Sequence, residues 1–139
     1  MPKLKINRED LIEALTSRFE IVEGQWYLDT ETGQVLLDGD GVEDLPEDLH
    51  DNPRYRGIDP ISSNDAFRIM EDFLATVSDA KAATRLARAL EGRKPFRRFK
   101  DELLDLPELR EAWFQFRDAA YARLAGAWCK NNGIEVEWA

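Results

Sequence analysis

Cysteine, histidine and long apolar runs are scarce in this chain of 139 residues. It has one cysteine, Cys129, and one histidine, His50, so an internal disulfide and a zinc site of Cys and His ligands are both excluded. No apolar run reaches the roughly 18 residues of a membrane-spanning helix, and the start at Met1 lacks the apolar stretch of a secretory signal. We therefore expect a cytoplasmic protein with no tightly held metal and no cofactor.

The motifs of several enzyme classes are also missing. The sequence has no glycine-rich phosphate loop and no Gly-x-Ser-x-Gly turn of a serine hydrolase. The segment 38–41 begins like a calcium loop, but Val42 and Leu49 stand where such a loop carries oxygen ligands. His50 lies in an acidic loop, which suits a surface position better than a catalytic base. We expect a binding protein rather than an enzyme, and the residues name no activity.

Charge is distributed unevenly along the chain. With 19 basic and 28 acidic side chains the formal net charge is -9, which argues against a protein that binds nucleic acid over its whole surface. Acids are concentrated in residues 38–51, where no Lys or Arg occurs. Bases are concentrated in residues 93–100, hereafter the basic segment, whose cations are Arg93, Lys94, Arg97, Arg98 and Lys100.

Hydrophobic periodicity predicts a small sheet in the first half of the chain. A helix is expected from Asn7, which can cap it, and ends before Gly24. Apolar alternation at 26–28 and 35–37, with a glycine-ended turn between them, predicts a β-hairpin. Residues 54–58 are expected to form a third strand, and residues 134–138 a last strand that joins the same sheet.

After residue 62 the pattern becomes helical. Apolar side chains recur at helical spacing over residues 65–77, 79–91, 95–105 and 107–131. The inner face of the last helix is expected to comprise Leu109, Trp113, Phe116, Ala120, Leu124 and Ala127. The sequence thus predicts one α+β domain over residues 1–139, in which a small antiparallel sheet (the hairpin plus one or two further strands) is covered by four or five helices.

Several short motifs resemble those of a family of uncharacterised bacterial proteins. They are Trp26-Tyr-Leu-Asp-x-x-Thr-Gly33, Pro53-Arg-Tyr55, Met70-x-x-Phe73, Phe96-Arg-Arg-Phe-Lys-Asp101 and Trp113. The order and spacing of these motifs carry the resemblance over roughly residues 25 to 130, and the Phe-Arg-Arg-Phe-Lys-Asp motif is the most specific. The resemblance implies a bacterial cytosolic protein and supplies no catalytic residue.

The basic segment poses an electrostatic problem. If Pro95 begins a helix, four cations crowd its positive end, each at a cost of about 0.3–1 kcal/mol. They are Arg93, Lys94, Arg97 and Arg98. An anion at this end, whether phosphate, nucleic-acid backbone or carboxylate, would offset the repulsion and accept from the free N–H groups. Internal solutions exist as well. Arg97 could pair with Asp101 and Arg98 with Glu102, or the acidic segment 38–51 could fold over the cations. The sequence leaves internal pairing and an external anion open.

Two functional classes fit these residues. The first is a non-catalytic interaction module that binds a protein or another acidic partner through a helical face and the basic segment. The alternative is a nucleotide or nucleic-acid binder that sets Arg93, Lys94, Arg97, Arg98 and Lys100 against the phosphates of its ligand. No RNA-binding or recognition-helix motif supports the alternative. We therefore expect the first class.

Overall fold

The computed structural model describes residues 3–16, 24–39 and 44–139. The helices are α1 (Arg8–Thr16), α2 (Ser63–Leu74), α3 (Ala80–Glu91), α4 (Pro95–Leu104) and α5 (Pro107–Asn131). The strands are β1 (Leu4–Ile6), β2 (Gln25–Asp29), β3 (Val35–Asp38), β4 (Tyr55–Ile58) and β5 (Val136–Trp138). These elements confirm the α+β class. None of the described helices is long and apolar enough to cross a membrane.

The chain forms two compact units. The first comprises Met1–Ser62 and Tyr121–Ala139, and the second comprises Ser63–Ala120. Each unit has its own cluster of buried hydrophobic side chains. The expectation of one domain over residues 1–139 stays a prediction.

A three-stranded antiparallel sheet lies in the first unit, with β2 between β3 and β4. Trp26 of β2 stands opposite Leu37 of β3 and Ile58 of β4. Leu28 and Ile58 are completely buried in the core of this unit. The predicted hairpin and third strand are therefore confirmed.

The last strand has a different partner from the one expected. β5 pairs with β1 in parallel, with Leu4 opposite Val136 and Ile6 opposite Trp138, and the two strands form a sheet of their own. The prediction that this strand joins the hairpin sheet is thus wrong. Alternation identifies a strand but not its neighbour, and β1, with three residues, is too short to show a period of its own.

The first unit's core lies between α1, the strands and the end of α5. Its buried members are Ile6, Leu11, Ala14, Leu15, Leu28, Ile58, Ala125 and Cys129. Asn7 caps α1 as predicted, because its side-chain oxygen accepts from the N–H of Asp10 at 3.1 Å. The predicted limit of this helix before Gly24 falls in residues 17–23, outside the described residues.

The second unit is built on edge-to-face aromatic contacts among its helices. The Trp113 ring lies 5.4 Å from that of Phe73 and 5.1 Å from that of Phe99. Such contacts hold α2, α4 and α5 together and confirm these three aromatic residues as core. Asp79 caps α3 by accepting from two backbone N–H groups.

The buried face of α5 changes along its length. Trp113 and Ala120 are buried as expected, but Ala127 is exposed, and Ala125 and Cys129 are buried instead. Ala127 was therefore wrongly assigned to the inner face. From Tyr121 onward α5 belongs to the first unit, so its later turns bury the side chains that meet that unit's core.

Two glycines allow a matched test of the first unit's backbone. Gly33 has φ +81°, and a Cβ there would collide with the backbone oxygen of Lys5. Gly33→Ala should therefore lower the free energy of unfolding by at least about 2 kcal/mol, from left-handed strain and steric overlap. Gly126, inside α5, has no atom within 4 Å of such a Cβ, and Gly126→Ala should raise stability by about 0.5–1 kcal/mol.

Urea unfolding of the two variants measures both effects. Equal changes in the free energy of unfolding of Gly33→Ala and Gly126→Ala would contradict the packing described at Gly33.

Candidate functional site

Asp29 is the one buried charged residue among those the structure describes, with 5% of its surface exposed. Arg54 holds it with two parallel hydrogen bonds, from Nε to Oδ1 and from Nη2 to Oδ2, each 2.8 Å long. The backbone N–H groups of Glu31 and Thr32 also donate to Oδ1, at 2.9 and 3.3 Å. Asp29 therefore closes the hairpin turn and ties the end of β2 to the residue before β4.

This environment keeps both groups of the pair charged. The Arg54 guanidinium holds the pKa of Asp29 well below its usual range, and Asp29 raises the pKa of Arg54 above its usual range. A carboxylate held in its ionised form by four donors is not suited to donate or accept a proton near neutral pH. The pair is a structural element, in which Asp29 stabilises the hairpin turn.

Tyr27, His50 and Asp38 form a second set of polar contacts. The Tyr27 hydroxyl lies 3.0 Å from His50 Nδ1, and His50 Nε2 lies 2.9 Å from Asp38 Oδ2. Because a carboxylate only accepts, a neutral His50 carries its proton on Nε2 and accepts from Tyr27 at Nδ1. Sequence reasoning missed this set, since two strands and a loop supply its members.

The position of His50 limits what this set can do. The His50 side chain is 63% exposed, which confirms the expected surface position and leaves the ring open to water. The hydrogen bonds attach the loop that carries His50 to β2 and β3. They therefore organise the edge of the hairpin and form no enclosed catalytic centre.

The basic segment starts α4 as the sequence predicts. Pro95 is the first helical residue, and Lys94 before it is the N-cap, with φ 54° and ψ 54° and no side-chain capping bond. Phe99 is completely buried, and it anchors the helix in the core of the second unit. Arg97, Arg98 and Lys100 are exposed. The helix thus presents cations to solvent at its positive end.

The internal pairs considered for these cations are not formed within the second unit. Glu102 accepts from Arg85 Nε at 2.9 Å, and Asp105 pairs with the same guanidinium. Within residues 63–120, which are all described, no ion pair uses Arg93, Lys94, Arg97, Arg98 or Lys100. The Arg97–Asp101 and Arg98–Glu102 alternatives therefore do not hold. Whether the acidic segment 38–51 covers the cations stays open, because residues 40–43 lie outside the described part.

Other candidate chemistry is limited in the described part of the chain. No three His, Cys, Asp or Glu side chains there cluster as a metal ion requires. Cys129 is buried in the first unit's core, and burial raises the pKa of its thiol. A buried, protonated thiol is a poor nucleophile, so Cys129 has a role in core packing.

The lowered pKa of Asp29 predicts a pH-dependent contribution to stability. Because the folded-state pKa lies below the unfolded value of 3.8, this contribution is complete above about pH 5. It decreases once the pH falls below the unfolded pKa and is lost as the pH falls through the lower, folded-state pKa. Asp29→Asn should lower the free energy of unfolding by about 2–4 kcal/mol at pH 7. The gap between the variant and the parent should narrow below about pH 4.

Urea unfolding at several pH values measures this gap. Asp51→Asn, which removes an exposed acid from the same unit, serves as the control. A gap between Asp29→Asn and the parent that is independent of pH would contradict the ionised pair.

Comparison with known proteins gives the family. The model of an uncharacterised protein family, UPF0158, matches residues 1–138. The chain is also similar to UPF0158 protein PA5073 of Pseudomonas aeruginosa, with 37% identity over 112 residues that cover 78% of this chain and 73% of that protein. No solved structure matches it. The resemblance to uncharacterised bacterial proteins is thereby confirmed, and the chain belongs to the UPF0158 family.

Proposed function

We propose that this protein is a non-catalytic binding module that works in the cytoplasm and engages an acidic partner protein through its basic segment. The observation that carries the proposal is the set of five cations at the start of α4, none of which takes part in an ion pair within its own unit. Charged residues that do form ion pairs, in contrast, have evident structural roles. Asp29 closes a turn, and Arg85 links α3 to the end of α4.

The electrostatics of α4 favour an anion at this position. The positive end of the helix dipole repels the clustered cations. Carboxylates of a partner would attract both the helix end and the cations, and would so offset the repulsion. Lys94 adopts a left-handed conformation, which costs a non-glycine residue about 1–2 kcal/mol. Strain of this kind concentrates at functional positions. A partner with several carboxylates would meet exposed guanidinium groups, which bind carboxylates with two hydrogen bonds.

The fold presents these cations in a defined arrangement. Phe99 is buried in the aromatic core of the second unit, so the helical turn that carries Arg97 and Arg98 is held in place. A Cβ at Gly92 would collide with Arg98 Nη1, which shows that this guanidinium lies against the turn before α4. The glycine therefore makes room for Arg98 beside the helix start. A recognition surface gains affinity when its groups are held in place in this way.

A phosphate-containing ligand is the second candidate, and one observation favours it. The N-cap Lys94 makes no side-chain capping bond to the first turn of α4, and the positive end of a helix beside Arg and Lys side chains is suited to phosphate oxygens. This candidate covers a nucleotide and a nucleic-acid backbone. The carboxylate-rich partner is preferred, because the formal charge of -9 opposes approach to an extended polyanion.

The proposal predicts that Arg97→Ala combined with Arg98→Ala weakens binding of a glutamate-rich peptide by at least about tenfold, or about 1.4 kcal/mol. Fluorescence anisotropy of the labelled peptide measures this change. Lys81→Ala combined with Arg88→Ala is the matched control, because it removes the same charge from exposed positions of the same unit. The control pair should retain affinity within about twofold, since distant surface charges are screened at physiological salt.

Thermal unfolding separates the two candidates. If phosphate is the ligand, phosphate should raise the melting temperature of the parent more than chloride does at equal ionic strength, because it binds only the folded state. The Arg97 and Arg98 double variant should then lose that difference. A parent indifferent to phosphate, oligonucleotides and the glutamate-rich peptide would refute an anion site. A double variant that loses stability in the absence of any such binding would indicate an internal carboxylate partner.

A further inference from the structure

A groove lies at the other end of α4, within the second unit. It has a volume of about 480 Å³, and its lining comes from residues 73–82, around the end of α2 and the start of α3, and from residues 105–112, where α4 leads into α5. Phe73 and Ala82 are buried in it. Val77, Leu106 and Leu109 are partly exposed. The groove thus has a lining of both apolar and polar residues and is large enough for a few hydrophobic side chains.

The charged side chains that line this groove are all carboxylates. Its lining residues include the carboxylates of Asp79, Asp105 and Glu108 and no Lys or Arg. Asp79 is engaged by backbone N–H groups, which leave its charge in place. Asp105 has to share Arg85 with Glu102. The surroundings of the groove therefore remain negative.

Leu104 is an exposed apolar residue of α4 that is close in sequence to the groove lining. It is 63% exposed and is the one exposed large hydrophobic residue among those described. It immediately precedes the lining residue Asp105 in the chain.

We propose that this groove docks a segment of a partner protein that carries apolar anchor side chains flanked by Lys or Arg. The apolar lining takes up the anchors, while Asp79, Asp105 and Glu108 attract the flanking cations and repel an acidic segment. The proposal is independent of the anion site at the basic segment, because it uses other residues and selects the opposite charge.

The basic segment of a second copy has charges that would also complement the groove. A contact that joined the basic segment of one copy to the groove of the next would use two different surfaces, so it would form a ring or an open filament. Binding of a separate partner protein requires neither a ring nor a filament. We therefore assign the groove to a separate basic segment, and self-association becomes an outcome that the test distinguishes.

The test uses a peptide of leucine and lysine at helical spacing, about 14 residues and thus about 21 Å long as a helix. Its counterpart has glutamate in place of lysine. Ala112→Arg places a bulky cation in the groove from an exposed position of α5, and it should weaken binding of the lysine peptide at least tenfold. Ala119→Arg makes the same change at an exposed position of α5 outside the groove and should retain the parent affinity within twofold.

A second pair of variants isolates the charge contribution. Glu108→Gln should weaken binding of the lysine peptide about twofold to fivefold, whereas Glu111→Gln, one turn along α5 and outside the lining, should not. Circular dichroism checks that each variant is folded, and nuclear magnetic resonance titration should place the largest shifts at residues 76–82 and 105–112.

Three results would overturn the inference. The first is that the glutamate peptide binds with the same affinity as the lysine peptide. The second is that Ala112→Arg and Ala119→Arg lose equal affinity for the lysine peptide. The third is that the parent self-associates in sedimentation and that Ala112→Arg makes it monomeric. The last result would place a second copy in the groove. A parent that ignores glutamate-rich ligands yet binds the lysine peptide in the groove would refute the anion site and leave this inference standing.

Discussion

Asp29 and Arg54 form the interaction on which the sheet of the first unit depends. A carboxylate with 5% of its surface exposed would destabilise the fold by several kcal/mol if it were left without a partner. Arg54, the residue before β4, and two backbone N–H groups of the turn itself satisfy it. The same hydrogen bonds that stabilise the charge therefore hold the hairpin turn beside the start of β4.

The chemistry of this pair also explains why two of the recognised motifs carry charged residues without an evident catalytic role. Asp29 belongs to the Trp-x-Leu-Asp-x-x-Thr-Gly motif and Arg54 to the Pro-Arg-Tyr motif, and the fold joins them in one ion pair. Gly33 ends the first motif because a side chain there would strike the Lys5 carbonyl. Asp29, Gly33 and Arg54 of these motifs are therefore explained by the geometry of the turn and the sheet.

In the second unit, packing decides which charges face solvent. Phe99 and Leu103 are buried, so they hold one face of α4 inward and leave the cations on exposed positions. Arg85 is engaged by Glu102 and Asp105 at the far end of the helix. The helix thus carries cations at its positive end and carboxylates at its negative end, the reverse of the arrangement that its dipole favours. Two surfaces of opposite charge result, and we assign each to a ligand of complementary charge.

Local patterns in the sequence determined most of the secondary structure and the location of the unusual charges. The hairpin, the start of α4 at Pro95 and the bounds of α5 follow from short-range periodicity and from proline and glycine, which act within a few residues. Only the tertiary structure decided the pairing of β5 with β1, the Asp29–Arg54 pair, the contacts of His50 and the groove between residues 73–82 and 105–112. Each of these joins residues distant in the chain, and periodicity carries no information about which distant residues meet. For the same reason, the sequence could not show that Glu102, the i+4 partner considered for Arg98, pairs instead with Arg85 of another helix.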